Sequence, residues 1–166
     1  MNDALLLARK KVNDITPLKR DCGRICGGRC CRSLEGEETG MLLFPGEEAQ
    51  YRGKAGWEIR DTETGLMIIC PGSCTRDERP LACRLFPLLP VLREGRIRTA
   101  VDRRAAVVCP LARQGIRAMD PAFVTAVREA GKILLTEDKQ RRFLETLTAE
   151  QDELKRLREE LGGGHV

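Results

Sequence analysis

The stretch CGRICGGRCC, residues 22–31, is decisive for the fold because it places four cysteines within ten residues and separates them with glycines. Glycine accepts backbone conformations that are closed to other residues, so a glycine-rich bend can aim several side chains at one point. Thiols at this density form disulfides, bind a metal ion or hold an iron–sulfur cluster. We predict irregular structure for this segment, which we call the cysteine knuckle.

Four more cysteines follow, three in the segment CPGSCTRDERPLAC at residues 70–83 and one at position 109. The spacings are C-x3-C-x3-C-C, then C-x3-C-x8-C, then a lone cysteine. Two thiolates from one short loop can reach a common ion, and a second segment then completes its coordination. The pattern predicts a metal centre whose candidate ligands are Cys22, Cys26, Cys30, Cys31, Cys70, Cys74, Cys83 and Cys109.

All-thiolate ligation is expected, because the only histidine, His165, follows a run of glycines at the C-terminal end. Thiolates select Zn²⁺ or an iron–sulfur cluster. Cys70-Pro71 and Cys109-Pro110 are similar to the cysteine–proline ending of ferredoxin ligand runs, but zinc proteins also contain this pair, so both metals stay open. The adjacent side chains of Cys30 and Cys31 are expected to diverge, which would let them serve two metal positions. Spacing alone does not divide the eight ligands among sites.

Two other interpretations of the cysteines can be checked against the sequence. An even count of eight suits disulfides, but no export signal is apparent, and cytosolic thiols are usually reduced. The radical S-adenosylmethionine motif C-x3-C-x2-C would need a cysteine at position 29, where this chain has arginine. Metal binding is therefore the favoured interpretation.

Length and charge narrow the protein class. The chain has 166 residues and a net charge of +4, which suits one domain with a helical extension. No stretch approaches the length of a membrane span, and the apolar run at residues 4–8 is too short for a signal peptide. We therefore expect a cytoplasmic protein without membrane association. Nucleic-acid binding is not expected, because the positive charge is mild and arginines near thiolates offset their negative charge.

Local patterns predict an α+β fold, with a small irregular cysteine-rich metal-binding core and short β-hairpins. Residues 3–14 have helical periodicity, which Asn2 or Asp3 can cap. Hairpins are predicted at residues 57–70, turning over Thr62–Gly65, and at residues 88–101, turning at Glu94-Gly95. Three further elements complete the prediction: a strand at Met41–Phe44, a helix start at Glu47-Glu48, and a helix that Pro80 opens and that contains Cys83.

The last third is predicted to be a C-terminal helical extension. Asp120 caps a helix that begins at Pro121 and ends near Leu135, and Thr136 caps another that ends near Leu161. Leucines recur every seven residues in the second helix, at Leu147, Leu154 and Leu161. They indicate either packing on the domain or a short dimerising coil, so a protein partner or a weak homodimer through these helices is expected. The predicted divisions are a metal-binding domain at 1–119, packed helices at 120–161 and a disordered tail at 162–166.

The cysteine knuckle, the following MLLFPGEE and the segment CPGSCTRDERPLACRLFPLLP together resemble the zinc- or iron-chelating cysteine-cluster family, also called YkgJ-like and named for its CxxCxxCC-type motif. The resemblance covers roughly residues 20–112 and is most specific at Cys30-Cys31 and at Arg79–Arg84 running into Phe86-Pro87. It implies metal chelation by all eight cysteines. A related branch contains flagellin lysine N-methylases that use S-adenosylmethionine, but no methyl-donor motif is evident here.

Arg79 and Arg84 flank the last ligand of the second cysteine segment. Metal ligands usually need outer hydrogen-bond support, so both arginines are expected to support the cysteines; the alternative is pairing with Asp77, Glu78 or a helix end. Glu47 and Glu48 are interpreted as helix-start charges rather than catalytic carboxylates.

Three functions are compatible with these residues. The first is a metal-binding protein with an iron–sulfur cluster, for redox transfer or sensing. The second is a zinc-stabilised protein-interaction module, and the third is an enzyme, with a lysine N-methylase as the named candidate. The sequence contains no Ser-His-Asp set, P-loop or dinucleotide-binding motif, and it therefore favours none of the enzyme classes that these motifs define. Whether the protein is an enzyme stays open.

Overall fold

The computed structural model describes residues 2–32 and 40–162. It confirms the α+β class and the long C-terminal helix. The helices are α1 (Asp3–Lys11), α2 (Gly23–Cys26), α3 (Leu81–Leu85), α4 (Pro110–Gln114), α5 (Pro121–Leu134) and α6 (Asp138–Gly162). The strands are β1 (Met41–Leu42), β2 (Glu58–Thr62), β3 (Gly65–Ile69), β4 (Leu88–Arg93) and β5 (Arg96–Val101), and short 3₁₀ turns lie at Arg29–Cys31, Glu48–Gln50, Arg103–Val107 and Ile116–Ala118. Gly162, predicted as the first residue of a disordered tail, is instead the last residue of α6. The rest of that predicted tail, residues 163–166 with His165, lies outside the described residues.

Helix α1 is amphipathic and packs one face into the core. Asn2 caps it, since its side-chain oxygen accepts a hydrogen bond from the amide of Leu5 at 2.9 Å. Leu5, Ala8 and Val12 are spaced three and four residues apart, so they share one face, and all three are buried. The helix ends at Lys11, before the predicted residue 14.

Strands β1, β3 and β2 form an antiparallel sheet in that order, and β2 and β3 are the predicted hairpin. Thr62 pairs with Gly65 across the turn, as expected. Strand β1 is shorter than predicted, and the chain turns away after it. Ile68 of this sheet is buried in a small cluster with Tyr51. The Tyr51 ring stacks on the ring of Trp57, with the ring centroids 4.8 Å apart.

The second hairpin, β4 with β5, carries the main core. Glu94 and Gly95 both have positive φ at its turn, as the two-residue turns favoured in hairpins require. Helix α5 begins where predicted, with Asp120 accepting from the amide of Ala122 at 2.9 Å, and packs on this hairpin. The approach is so close that a Cβ added at Gly131 would lie 2.4 Å from Cβ of Pro90.

Helix α6 joins the same core through its first half. Phe143, Leu144 and Leu147 are buried, whereas Leu157 and Leu161 are 40% and 82% exposed. The prediction that Thr136 caps α6 is wrong, because the Thr136 hydroxyl donates to the carbonyl of Ile133 at the end of α5. Glu137 takes the capping role instead, accepting from the amide of Gln140 at 2.9 Å. No helix within residues 2–32 and 40–162 is long and apolar enough to cross a membrane.

Candidate metal centre

The cysteines lie around two adjoining cavities, a larger one of about 620 Å³ and a smaller one of about 120 Å³. Both cavities include Cys30, Cys83, Arg79 and Phe86 in their walls. The larger cavity adds Cys31, Cys70 and Cys74, and the smaller adds Cys22, Cys26 and Cys109. Every candidate ligand predicted from the sequence therefore lines at least one cavity, and all eight are free thiols.

The cysteine knuckle is built from two short helical turns, so the prediction of wholly irregular structure is wrong. Helix α2 ends at two successive left-handed residues, Gly27 and Gly28, with φ of 66° and 67°. They reverse the chain into the 3₁₀ turn Arg29–Cys31, a conformation that residues with a Cβ rarely adopt. The glycines thereby reverse the chain between Cys26, which lines the smaller cavity, and Cys30, which lines both.

Cys30 and Cys31 do not diverge as expected. Their sulfur atoms lie 4.0 Å apart and share a hydrogen bond. Cys30 lines both cavities, whereas Cys31 lines only the larger. The adjacent pair therefore stands at the junction between the cavities.

Cys83 is positioned by a buried carboxylate on another segment. It lies on helix α3, whose first amide, that of Leu81, donates to Glu47 Oε1 at 2.8 Å. Pro80 precedes this helix and has no side-chain group to cap it. Glu47 also accepts from the amide of Phe44 at 3.1 Å and forms an ion pair with Arg9. Glu47 thus ties helix α3, the turn after β1 and helix α1 together.

A 3₁₀ turn begins at Glu48, as predicted, but the interpretation of Glu47 as a charge of that turn is wrong, because Glu47 makes no capping hydrogen bond to it. Its side chain is completely buried. Burial raises the pKa of this carboxyl, while Arg9 and the amides of Leu81 and Phe44 act in the opposite direction. The signal that could have found the pair is in α1, because Arg9 falls near the buried face of the helix that carries Leu5 and Val12.

Residues 75–79, which we call the clamped loop, connect Cys74 to the helix that bears Cys83. Arg76 reaches the end of α1, donating to the carbonyls of Val12 at 2.8 Å and Ile15 at 2.5 Å and also to that of Asn13. These bonds satisfy backbone carbonyls that follow the C-terminal end of α1 and tie the clamped loop to that end.

Three more side chains hold the clamped loop by its backbone. Arg9 and Arg84 both donate to the carbonyl of Asp77, at 3.2 and 2.9 Å, and the Tyr51 hydroxyl donates to that of Glu78 at 2.8 Å. Arg84 also bonds the carbonyl of Arg79 and the side chain of Asn13. The hydrogen bonds of Arg84 go to oxygen atoms and not to sulfur. Arg84 therefore stabilises the loop, as the alternative interpretation held, and does not support the thiols.

Arg79 is the arginine that faces the cysteines. It lines both cavities, hydrogen-bonds Cys74, and places its positive charge near Cys31 and Cys22. Its Nε is buried and has no hydrogen-bond partner among the described residues. A buried donor without a partner is costly, so this N–H is a candidate to bond an anion or a sulfur in the cavity.

The thiols influence one another strongly. A hydrogen bond from Cys30 lowers the pKa of Cys31 to about 6, with Arg79 acting in the same direction. Burial raises the pKa of Cys83, and the neighbouring thiolates Cys31, Cys70 and Cys74 raise it further. Burial and the nearby Cys26 likewise raise the pKa of Cys22. Such an array resists holding several negative charges unless a cation accompanies them.

The donor type suits a thiophilic metal, but the sulfurs do not form a finished cage. Within the described ranges, no group of three or more Cys, His, Asp or Glu side chains is close enough together to hold an ion. The thiol-rich walls and the unpartnered Arg79 N–H fit a zinc ion or an iron–sulfur cluster by chemistry. Binding would require the sulfurs to move inward.

Comparisons with known proteins do not add to this description. A scan against protein-family models finds no match to the chain. Searches of the curated proteins and of the solved structures also return no match. The resemblance to the cysteine-cluster family therefore depends on the sequence motifs quoted above alone.

Proposed function

We propose that this protein binds a metal through its eight cysteines, either iron as an iron–sulfur cluster or zinc. One observation carries the proposal: eight cysteines from the knuckle, the 70–83 segment and position 109 all line the same two adjoining cavities. Cysteines buried merely as small apolar residues would be distributed over the core. In this protein, the main core of α1, α5 and the second hairpin contains none of them.

The surroundings of the thiols support a cationic ligand. Thiolates must replace thiols for a metal to bind, and Cys31 already has a pKa lowered to about 6. The remaining thiolates repel one another, and a metal ion would relieve this repulsion. When bound, an iron–sulfur cluster would supply one-electron transfer, and zinc would supply a rigid cross-link between chain segments.

The second half of α6 favours one alternative, a zinc-stabilised module that binds a protein partner or a second copy of itself. This part of the helix presents Leu157 and Leu161 to solvent, beyond the turns that pack on the domain. The two leucines are four residues apart, so they share one face of the helix and offer a small apolar surface to a partner. Zinc in the centre would fit this function, whereas a redox-active cluster would favour electron transfer or sensing.

The test is elemental analysis of iron and zinc, acid-labile sulfide and a visible spectrum, on protein purified without oxygen or a metal-affinity tag. Cys30→Ser and Cys83→Ser should both lower metal content and stability, because each residue lines both cavities. Ser73→Ala is the matched control, since Ser73 is exposed and adjoins Cys74 without a thiol. Iron with matching sulfide supports a cluster, and stoichiometric zinc supports the module. Wild-type protein without bound metal, or unchanged stoichiometry in both serine variants, overturns the proposal.

A further inference from the structure

The two cavities divide the cysteines into two groups of equal size and a shared pair. Three thiols line only the smaller cavity, namely Cys22, Cys26 and Cys109, and three line only the larger, namely Cys31, Cys70 and Cys74. Each group lacks one ligand of a four-thiolate centre. The shared wall supplies two candidates, Cys30 and Cys83.

The neighbours of the shared thiols decide where each belongs. Cys83 lines the larger cavity with Cys31, Cys70 and Cys74 and lies on the same chain segment as the last two. Cys30 lines the smaller cavity with Cys22 and Cys26 and lies in the same knuckle. Cys109 lines only the smaller cavity, so it joins the second group. The division that follows gives each cavity four thiols.

We propose that the protein has two separate four-cysteine metal sites, and this inference rests on the proposed function. The first, the knuckle site, is formed by Cys22, Cys26, Cys30 and Cys109. The second, the loop site, is formed by Cys31, Cys70, Cys74 and Cys83. Each site takes one thiophilic centre, which is a Zn²⁺ ion or a four-cysteine iron–sulfur cluster.

The wall between the cavities favours two centres over one eight-thiolate cluster. Phe86 and Arg79 stand in this wall with Cys30 and Cys83. Four thiolates outweigh the charge of a divalent cation, so each loaded site is negative and two neighbouring sites repel each other. Arg79 adjoins both sites, where its positive charge offsets this repulsion and its free N–H can bond a sulfur of one of them.

The boundary between the sites falls between two adjacent residues. Cys30 and Cys31 have sulfurs 4.0 Å apart but belong to different sites. The knuckle therefore contributes three ligands to its own site and one to the loop site. Cys31 is the one knuckle residue assigned to the loop site, so it would cross-link the knuckle to the 70–83 segment once metal is bound.

Stepwise metal removal tests the division on the wild-type protein and needs no variant that has to fold. Protein carrying the metal found in the first experiment is treated with limiting EDTA, exposed thiols are alkylated, and labelled cysteines are identified by mass spectrometry. We expect the species that has lost half of its metal to carry label on one complete site and none on the other. Label on cysteines of both sites, in that species, overturns the division.

Paired serine variants provide the second measurement. The within-site variant Cys22→Ser/Cys109→Ser should keep half of the wild-type metal, because only the knuckle site is lost. The cross-site variant Cys22→Ser/Cys74→Ser, which removes the same number of thiols, should bind essentially none. Equal metal content in the two variants contradicts the division while leaving metal binding intact. Absence of metal from the wild-type protein would overturn the proposed function itself, so the two failures are distinguishable.

Discussion

The cysteine knuckle and the segment from Cys74 to Leu85 contribute thiols to the walls of the same pair of cavities, but the fold holds the two segments differently. No residue of the knuckle is buried, and its shape depends on Gly27 and Gly28. The second segment is tied down by Glu47, by Arg76 and by the buried face of α3. The fold therefore preforms the wall around Cys83, whereas metal bonds would supply most of the stability of the knuckle.

The largest expected effect comes from removing the Glu47 carboxylate, which anchors the segment from Cys74 to Leu85. Glu47→Ala leaves Arg9 buried without its ion-pair partner and the amides of Leu81 and Phe44 without their acceptor. Loss of one member of a buried pair costs about 3–5 kcal/mol, so we expect the free energy of unfolding to fall by that amount. Chemical denaturation of metal-free protein measures it.

Glu63→Ala is the control for this measurement, because Glu63 is exposed at the hairpin turn. Its effect should stay within about 0.5 kcal/mol. If Glu47→Ala lowered the free energy of unfolding as little as Glu63→Ala, helix α3 would not depend on the carboxylate. The contrast between the knuckle and the segment from Cys74 to Leu85 would then be contradicted.

A smaller effect is expected in the knuckle, and it should appear in metal affinity rather than in stability. Gly28 has φ of 67° and nothing within 4 Å of an added Cβ, so Gly28→Ala introduces backbone strain without a clash. Strain of this type costs roughly 1–2 kcal/mol. We expect the metal dissociation constant to rise roughly 5- to 30-fold, while unfolding of the metal-free protein changes little.

Gly53→Ala is matched to this variant, because Gly53 has φ of 74° and equally open surroundings but lies two residues after buried Tyr51. It should lower the unfolding free energy by a comparable amount and leave metal affinity unchanged. The reverse result, with stability lost at Gly28 and affinity lost at Gly53, would contradict the contrast.

The smallest effect is the pH dependence of the clamped loop. Hydrogen bonds from Lys54 and from Thr75 lower the pKa of Glu78 from its ordinary 4.5 to about 2. The ionised carboxylate is therefore the stabilising form; its contribution is complete above pH 4.5 and disappears as the pH falls towards 2. We expect wild type and Glu78→Gln to differ in unfolding midpoint near neutral pH and to converge over this interval.

Lys54→Met should shrink the same difference, because it removes the main cause of the lowered pKa. Denaturation curves recorded from pH 2 to pH 7 give both results. A gap between wild type and Glu78→Gln that widened as the pH fell would show that the carboxylate does not support the loop.

The sequence predicted the elements whose causes are local. The turn at Glu94-Gly95 and the start of α5 at Asp120-Pro121 follow from the conformational preferences of a few adjacent residues, and the structure has both. The convergence of the cysteines was also accessible, because short spacings restrict where neighbouring thiols can point. For the turn and the helix start, the residues that decide the outcome are adjacent in the chain; for the cysteines, the short spacings within each segment gave the signal.

The features that sequence patterns missed depend either on partners that are distant in the chain or on neighbouring residues that could fill the same role. Glu47 pairs with Arg9, which is 38 positions away in the chain, and the residues next to Glu47 do not indicate that partner. Thr136 and Glu137 are adjacent, and either could cap α6. The Thr136 hydroxyl bonds a carbonyl of the preceding helix, so Glu137 caps α6. Cys30 and Cys83 come from distant segments and lie with Phe86 in the wall shared by the two cavities, a placement that spacing does not encode.

The close crossing of α5 over the second hairpin has a consequence for how this sequence can vary. A methyl group at position 131 would also meet Ile97 at 2.8 Å, and the ring of Pro90 is rigid, so the helix would have to lift away from the strands. Alanine, the best helix former, is therefore excluded by shape at this point despite its propensity. Among descendants and relatives of this chain, glycine at 131 should persist for as long as proline persists at 90, and the two positions should change together.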